Sequence, residues 1–276
     1  MDLVFRRSYV GPLKAAIFDW AGTTVDYGCF APAVVFQEVY KKHGVDISMA
    51  QAREPMGAAK RLHIKMISQM ETIAAAWQAA HGSPCSEADI DVMYQEFIPM
   101  QLKCILDYND LIPGTNECMH LLRNRGMKIG ATTGYNGAMM KAVADDAKLR
   151  GYEPDLSVCA DDVPAGRPSP WMAIKAAMEL EVYPFEAIVK VGDTVPDIDE
   201  GVNGGMWSVG VVTSGNEIGM TPQEIRMADP CAFKAKHAKA SLKLAQAGAH
   251  YVIDSIADLM PVIDDINARL ARGEKP

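Results

Sequence analysis

Three short segments place polar residues suited to phosphoryl chemistry directly behind apolar runs. The first is Asp19-x-x-Gly22-Thr23, the second Thr132-Thr133-Gly134, the third Gly192-Asp193-x-x-x-Asp197. Taken singly each is weak, because an Asp behind a strand most often serves a turn or a helix cap. Taken together their chemistry is coherent. Carboxylates from two strands can hold Mg²⁺, a hard ion that prefers oxygen ligands. One of those carboxylates can then attack a phosphorus atom whose charge the ion partly neutralises. The Thr133 hydroxyl and the backbone N–H groups near Gly22 and Gly134 can receive phosphoryl oxygens.

The elements that must position these residues are legible in outline. Residues 13–18 (LKAAIF) form a continuous apolar run, which suits a strand buried on both faces. From about 30 to 104 the pattern is helical, with segments at 33–43, 60–70 and 72–81. A capping box, Ser86-x-x-Asp89, opens a further helix running to about 104. After Pro113-Gly114 strands and helices alternate. Strands are predicted at 127–132, 156–160, 187–191, 207–212 and 250–253. Helices are predicted at 115–125, 137–149, 171–180, 197–203, 232–247 and 256–271. Alternation of this kind implies a parallel sheet with covered faces, whose ligands sit at the carboxyl ends of the strands. The expected fold is therefore α/β: a Rossmann-like parallel-sheet core (1–27 and 105–276) with an all-helical cap inserted at 28–104.

With these motifs, over roughly residues 13–265, the chain resembles the haloacid dehalogenase superfamily of aspartate-nucleophile phosphotransferases. The resemblance implies that Asp19 is the nucleophile, Asp193 a magnesium ligand, and Asp197 a ligand or a carboxylate just behind one. Thr133 would donate to a phosphoryl oxygen. One position departs from the pattern. Phosphatases of the superfamily generally carry a second Asp two residues after the nucleophile, as acid and base for the leaving oxygen; here that position is Ala21. The Ala21 carbonyl can still reach a metal, but a methyl group donates no proton. A carbon leaving group needs different help, because breaking a C–P bond leaves a carbanion. An imine beside that carbon turns the carbanion into an enamine, and the residue for the task is a lysine. Lys60, in Glu54-Pro55-Met56-Gly57-Ala58-Ala59-Lys60-Arg61-Leu62-His63, falls near a helix start with His63 one turn on.

Within the superfamily this combination is similar to the phosphonoacetaldehyde hydrolase (phosphonatase) family. The motifs that carry the likeness are Asp19-Trp20-Ala21-Gly22-Thr23-Thr24-Val25-Asp26, Pro55-Met56-Gly57 leading to Lys60, and Thr133-Gly134-Tyr135. Asp161-Asp162-Val163-Pro164-Ala165-Gly166-Arg167-Pro168 and the stretch from Lys190 to Asp197 add to them. The likeness implies a Schiff base on Lys60, phosphonate binding by Arg167 with Thr133 and Gly134, and Met56, Cys29 and His63 lining or serving the imine site. It also implies Mg²⁺ as cofactor, held by Asp19, Ala21, Asp193 and Asp197, and a homodimer joined through cap helices such as 33–43. Two other readings compete: a phosphate-ester phosphatase or mutase of the same superfamily, and a catalytically silent binding protein on this fold. Ala21 argues against the first; retention of Asp19, Asp193, Asp197 and Thr133 argues against the second. An ordinary lysine, with a pKa of ~10.4, is only about 0.04% neutral at pH 7. A catalytic amine therefore requires a depression of about 2–3 units, by desolvation or a neighbouring positive charge such as Arg61 or His63.

Composition bounds the rest. A chain of 276 residues accommodates two domains or one large one, and 49% hydrophobic with 22% charged residues is ordinary for a globular protein. The net charge of −8, with no run of basic residues, excludes a partner that requires clustered Lys and Arg, such as a nucleic-acid backbone. No apolar run approaches the ~18 residues a membrane helix needs, and Lys14 and Asp19 break the stretch behind Arg6 and Arg7 that a signal peptide would require. The six cysteines are scattered, with no C-x-x-C pair, as in reduced cytoplasmic enzymes. The partner expected is a small phosphonate.

Overall fold

The computed structural model describes residues 8–276. Arg6 and Arg7, weighed above for a leader, lie outside the described residues. Six parallel strands, β1 (Ala15–Phe18), β2 (Lys128–Thr133), β3 (Leu156–Cys159), β4 (Ile188–Gly192), β5 (Trp207–Val211) and β6 (Tyr251–Ile253), form one sheet in the order β3-β2-β1-β4-β5-β6. The helices that follow β1 up to residue 104 are α1 (Phe30–Lys42), α2 (Met49–Arg53), α3 (Lys60–Ser68), α4 (Glu71–His81) and α5 (Glu87–Cys104). The remaining helices are α6 (Thr115–Asn124), α7 (Gly137–Leu149), α8 (Trp171–Glu179), α9 (Val195–Asn203), α10 (Pro222–Met227), α11 (Pro230–Gln246) and α12 (Leu259–Ala271). The chain is α/β with a Rossmann-like parallel sheet, as the alternation predicts.

The apolar runs become strands because both faces of the sheet are covered, so successive residues, which point to opposite faces, all need apolar partners. In β1, Ala16 and Phe18 join a cluster that continues through Trp20 into Phe36, Ile64 and Phe97 of the inserted helices. Ala15 and Ile17 face the other way, onto Ala173, Ala176 and Ala177 of α8.

Several boundaries differ from the periodicity for local reasons. Helix α1 begins at Phe30 rather than 33, because the Asp26 carboxylate, four residues upstream, accepts from the N–H groups of Phe30 (2.8 Å) and Ala31 (2.9 Å). Helix α2 has only five residues, fewer than two turns, so it carries no periodic signal; Ser48 and Gln51 close it with a capping box. Helix α9 starts at Val195, capped by Thr194 with Pro196 at its first turn, and α10 is a single capped segment that the pattern missed. The box at Ser86 is present as read: Asp89 N–H donates to Ser86 Oγ and Ser86 N–H to Asp89 Oδ2. The apolar stripe of 33–43 faces its own chain. Val35, Phe36, Val39 and Tyr40 are buried within their own chain, chiefly against α5.

Candidate active site

Strand order brings the first and third motifs side by side. β1 and β4 are neighbours with Phe18 opposite Val191, so Asp19 and Asp193 emerge from adjacent strand ends where the order reverses direction. Carboxylate oxygens of Asp19, Asp193 and Asp197 lie within 4.8 Å of one another. Asp193 is held on both oxygens: Thr23 Oγ1 donates to Oδ1 (2.9 Å) and the Asn216 N–H to Oδ2 (2.8 Å). Gly22 explains its own presence. With φ of +90°, a Cβ there would stand 2.4 Å from Asp193 Oδ2.

Two buried cations lace these carboxylates together. Arg167 Nη2 lies 2.8 Å from Asp19 Oδ1 and 3.0 Å from Asp197 Oδ1, while its Nε reaches Glu200 Oε2 at 2.9 Å. The same Nη2 donates to the carbonyl and hydroxyl of Thr132. Lys190, inside β4, lies 2.8 Å from Asp197 Oδ1 and 3.5 Å from Glu200 Oε2. Thr194 supplies its hydroxyl (2.6 Å) and N–H (3.2 Å) to Asp197 Oδ2. Asp197 thus stands within ligand reach of Asp19 and Asp193, yet both its oxygens already accept from other groups.

The electrostatics separate the three acids. Burial raises the Asp19 carboxyl, with Arg167 pulling the other way. Burial, then the negative charges of Asp19 and Asp197, hold Asp193 well above the usual range. At Asp197 burial is overcome by Arg167 and Lys190, and the carboxyl lies low. Asp19 and Asp193 therefore each oppose the other's charge in a dry, all-oxygen setting. That donor set fits a hard divalent cation, which would relieve the repulsion.

The inserted helices supply the other wall. Lys60 is the first residue of α3 and only 6% exposed. Its Nζ lies over the rings of Tyr135 (4.9 Å to the centroid) and Phe36 (5.8 Å) and has no carboxylate within ion-pair distance among the described residues. Burial lowers its pKa to about 8, against the pull of Cys29 and Asp19, with Arg167 adding to the depression. Arg61 takes no part: it is exposed and pairs with Glu87 (2.9 Å) and Asp91 (2.6 Å). His63 is buried and stacked on Phe36 at 3.8 Å. Its Nε2 donates to the Ala52 carbonyl at 2.8 Å, which leaves Nδ1 a buried acceptor without a partner among the described residues. Burial, reinforced by Lys60, keeps this imidazole neutral. Gly57 allows the two walls to meet: with φ of +93°, its Cβ would fall 2.3 Å from Thr194 Oγ1.

Asp19, Ala21, Thr133, Gly134 and Arg167, from the strand ends, line one cavity with Cys29, Met56 and Lys60. Its volume is about 20 Å³, room for a water molecule or two, so the walls stand closed on each other. Asp193, Asp197 and His63 lie just behind the wall rather than on it. Cys29 and Met56 pack with Ala33 as a small apolar patch, and burial holds the Cys29 thiol well above its ordinary value. A larger cavity, about 570 Å³, runs between α2 and α11 and contains none of these residues; convergence of chemistry, not size, marks the site.

Tyr135, next to Gly134 in its motif, also lines the cavity, as does Thr194. Thr132, Lys190 and Glu200, to which no motif reading gives a role, complete the buried network behind it. A charged Lys in the middle of the apolar run 188–192 was the available signal, since a lysine there must find a buried partner. Trp20 is core, edge-on to Tyr152.

A profile of haloacid dehalogenase-like hydrolases matches residues 13–205. The chain is 47% identical over 270 residues to a phosphonoacetaldehyde hydrolase of Nitratidesulfovibrio vulgaris, covering 98% of this chain and 96% of that one. It is 46% identical over 264 residues to a phosphonoacetaldehyde hydrolase of Paraburkholderia phytofirmans, covering 96% and 99%. The crystal structure of a phosphonoacetaldehyde hydrolase-like protein from Oleispira antarctica superposes with a TM-score of 0.97 at 44% identity, covering both chains fully. A β-phosphoglucomutase from Clostridium difficile, at 18% identity and a TM-score of 0.65 over 93% and 98% of the two chains, shares the fold alone.

Proposed function

The chain belongs to the haloacid dehalogenase-like hydrolases, and we propose that it hydrolyses the carbon–phosphorus bond of phosphonoacetaldehyde to acetaldehyde and phosphate. The observation that carries this reading is a buried amine without a counter-ion, Lys60, on the same cavity wall as Asp19, Thr133 and Arg167. Residues 28–104 act as a cap that brings this amine over the strand ends.

Lys60 in its neutral form attacks the aldehyde carbon, and loss of water gives the Schiff base. The Asp19 carboxylate, oriented by Arg167, attacks phosphorus in line with the C–P bond. As that bond breaks, its electron pair moves into the iminium and leaves an enamine on Lys60. Protonation of the enamine carbon followed by hydrolysis releases acetaldehyde and restores the amine. Water then cleaves the aspartyl-phosphate. Asp19, Asp193 and the carbonyl of Ala21 would hold Mg²⁺, with Asp197 beside them, and the bound ion supplies charge neutralisation at the phosphoryl oxygens. Thr133 and the backbone at Gly134 bind those oxygens. Cys29, Met56 and neutral His63 keep the imine pocket dry, which preserves the uncharged amine. Ala21 suits this chemistry, because a carbon leaving group needs no proton donor at that position.

A substrate panel tests the reading. Phosphonoacetaldehyde should yield phosphate and acetaldehyde in equal amounts, far faster than any sugar phosphate or other phosphate ester yields phosphate. Faster turnover of an ester would replace this reading with a phosphatase or mutase. The same reading extends to a cytoplasmic homodimer, which sedimentation of the purified protein checks.

A further inference from the structure

The loop 213–219 behind β5 touches the chain at Gly22 and Gly28, the inserted helices and the Asp193 carboxylate at once. Its Ser214 carbonyl accepts from the Gly28 N–H at 2.7 Å, and the Ser214 hydroxyl donates to the Gly22 carbonyl at 2.8 Å. Its Asn216 N–H is the donor to Asp193 Oδ2. The Asn216 side chain meets Arg53, the last residue of α2, twice: Arg53 Nη1 donates to Asn216 Oδ1, and Asn216 Nδ2 donates to the Arg53 carbonyl, each at 3.1 Å. Arg53 Nη1 also donates to the carbonyls of Gly28 (2.6 Å) and Cys29 (3.2 Å), at the start of the insertion. The guanidinium carbon lies 4.8 Å from the centre of the Phe30 ring. Seven residues beyond Arg53 stands Lys60.

We propose that Arg53 and Asn216 form a clasp coupling the seating of α2 and α3 to the orientation of the Asp193 carboxylate. The inference rests on the reading that Asp193 holds Mg²⁺ and that α3 delivers Lys60. Both are positioning residues. Both clasp residues also line the cavity of about 570 Å³ between α2 and α11, so their pairing lies beside open space rather than deep in the core, as suits a contact that forms and releases in each cycle. Linkage then requires reciprocity: whatever seats the helices favours the ion, and the ion favours the seated helices by the same factor.

Mg²⁺ binding by calorimetry and amide exchange over residues 49–60, with and without Mg²⁺, test this on the intact protein. Asn216→Ala keeps the N–H donor to Asp193 and removes only the clasp; Arg53→Lys keeps the charge and removes the fork. In the wild type Mg²⁺ should slow exchange over 49–60. In either variant that response should vanish and Mg²⁺ affinity should fall about tenfold. The double variant should lose no more than the worse single one. Wild-type affinity in both variants, or exchange that responds to Mg²⁺ in them as in the wild type, overturns the clasp. So does a loss that is additive in the double variant. Exchange at β1 and β4 reports whether each variant is folded. Neither readout uses phosphonoacetaldehyde, so failure of the substrate panel would strike the catalytic reading and leave this measurement standing.

Discussion

Two cations face the same cavity from opposite sides, and their surroundings differ in kind. Arg167, on the sheet side, is wrapped by Asp19, Asp197 and Glu200. Those charges outweigh its burial and lock it in the charged form. Lys60, on the side of the inserted helices, is equally buried but rests against aromatic faces, with no carboxylate at ion-pair distance. Burial there works unopposed by an ion pair, and the amine moves down to about 8. Under the proposed mechanism the difference has a reason: the charge that orients the nucleophile is given partners, and the amine that loses its charge to attack a carbonyl is denied them.

Neutralising substitutions should separate the two sides most sharply. Arg167→Met leaves three buried carboxylates without their common cation, so unfolding stability should fall by about 3–5 kcal/mol and activity should vanish, as urea denaturation and phosphate release would show. Lys60→Met should act oppositely on stability. It removes a buried, unpaired ammonium, so the fold should gain roughly 1–3 kcal/mol at pH 7 while C–P cleavage falls by on the order of 10³-fold or more. A destabilised Lys60→Met protein would break the contrast. Removing Mg²⁺ with a chelator should abolish turnover and cost about 2.7 kcal/mol of stability when the ion had been present at a hundred times its Kd, because Asp19 and Asp193 lose their shared counter-charge.

The pH dependence sharpens the Lys60 side. Only the neutral amine attacks, so kcat/KM should fall about tenfold per unit as pH drops below about 8 and level off above it. Stability has its own sign: the unfolded lysine, at 10.5, binds a proton the folded one releases near 8, so folding gains stability as pH rises between those values. Lys60→Met should lose both trends. The smallest effect belongs to Arg61→Ala. Arg61 touches only exposed Glu87 and Asp91, so stability should change by about 1 kcal/mol or less and the pH profile not at all.

The same contrast governs how much was legible in the sequence. β1, β4 and β2 announced themselves as continuous apolar runs because a covered parallel sheet demands them, and Asp19, Asp193 and Thr133 stood out where those runs stopped. The network that orients them did not stand out. Thr132 meets Glu200 across 68 positions and Arg53 meets Asn216 across 163, and no local period or spacing encodes such pairs. Lys60 was found through its motif, but the cause of its lowered pKa was not: Arg61 and His63 were the neighbours at hand, whereas burial under Phe36 and Tyr135 does the lowering. Helix α2 was invisible for a plainer reason, its five residues being too few to show a period. At 33–43 amphipathicity reveals that a face is covered, and only the fold shows that its own chain covers it.

Borohydride trapping tests the central claim most directly, that a neutral Lys60 condenses with the aldehyde over the phosphorus site. Incubated with phosphonoacetaldehyde and sodium borohydride, the protein should carry a reduced adduct on Lys60, more rapidly formed at pH 8 than at pH 6 and absent from Lys60→Arg. An unmodified Lys60 in a protein that still releases phosphate from phosphonoacetaldehyde, or full hydrolysis by Lys60→Arg, would contradict the account.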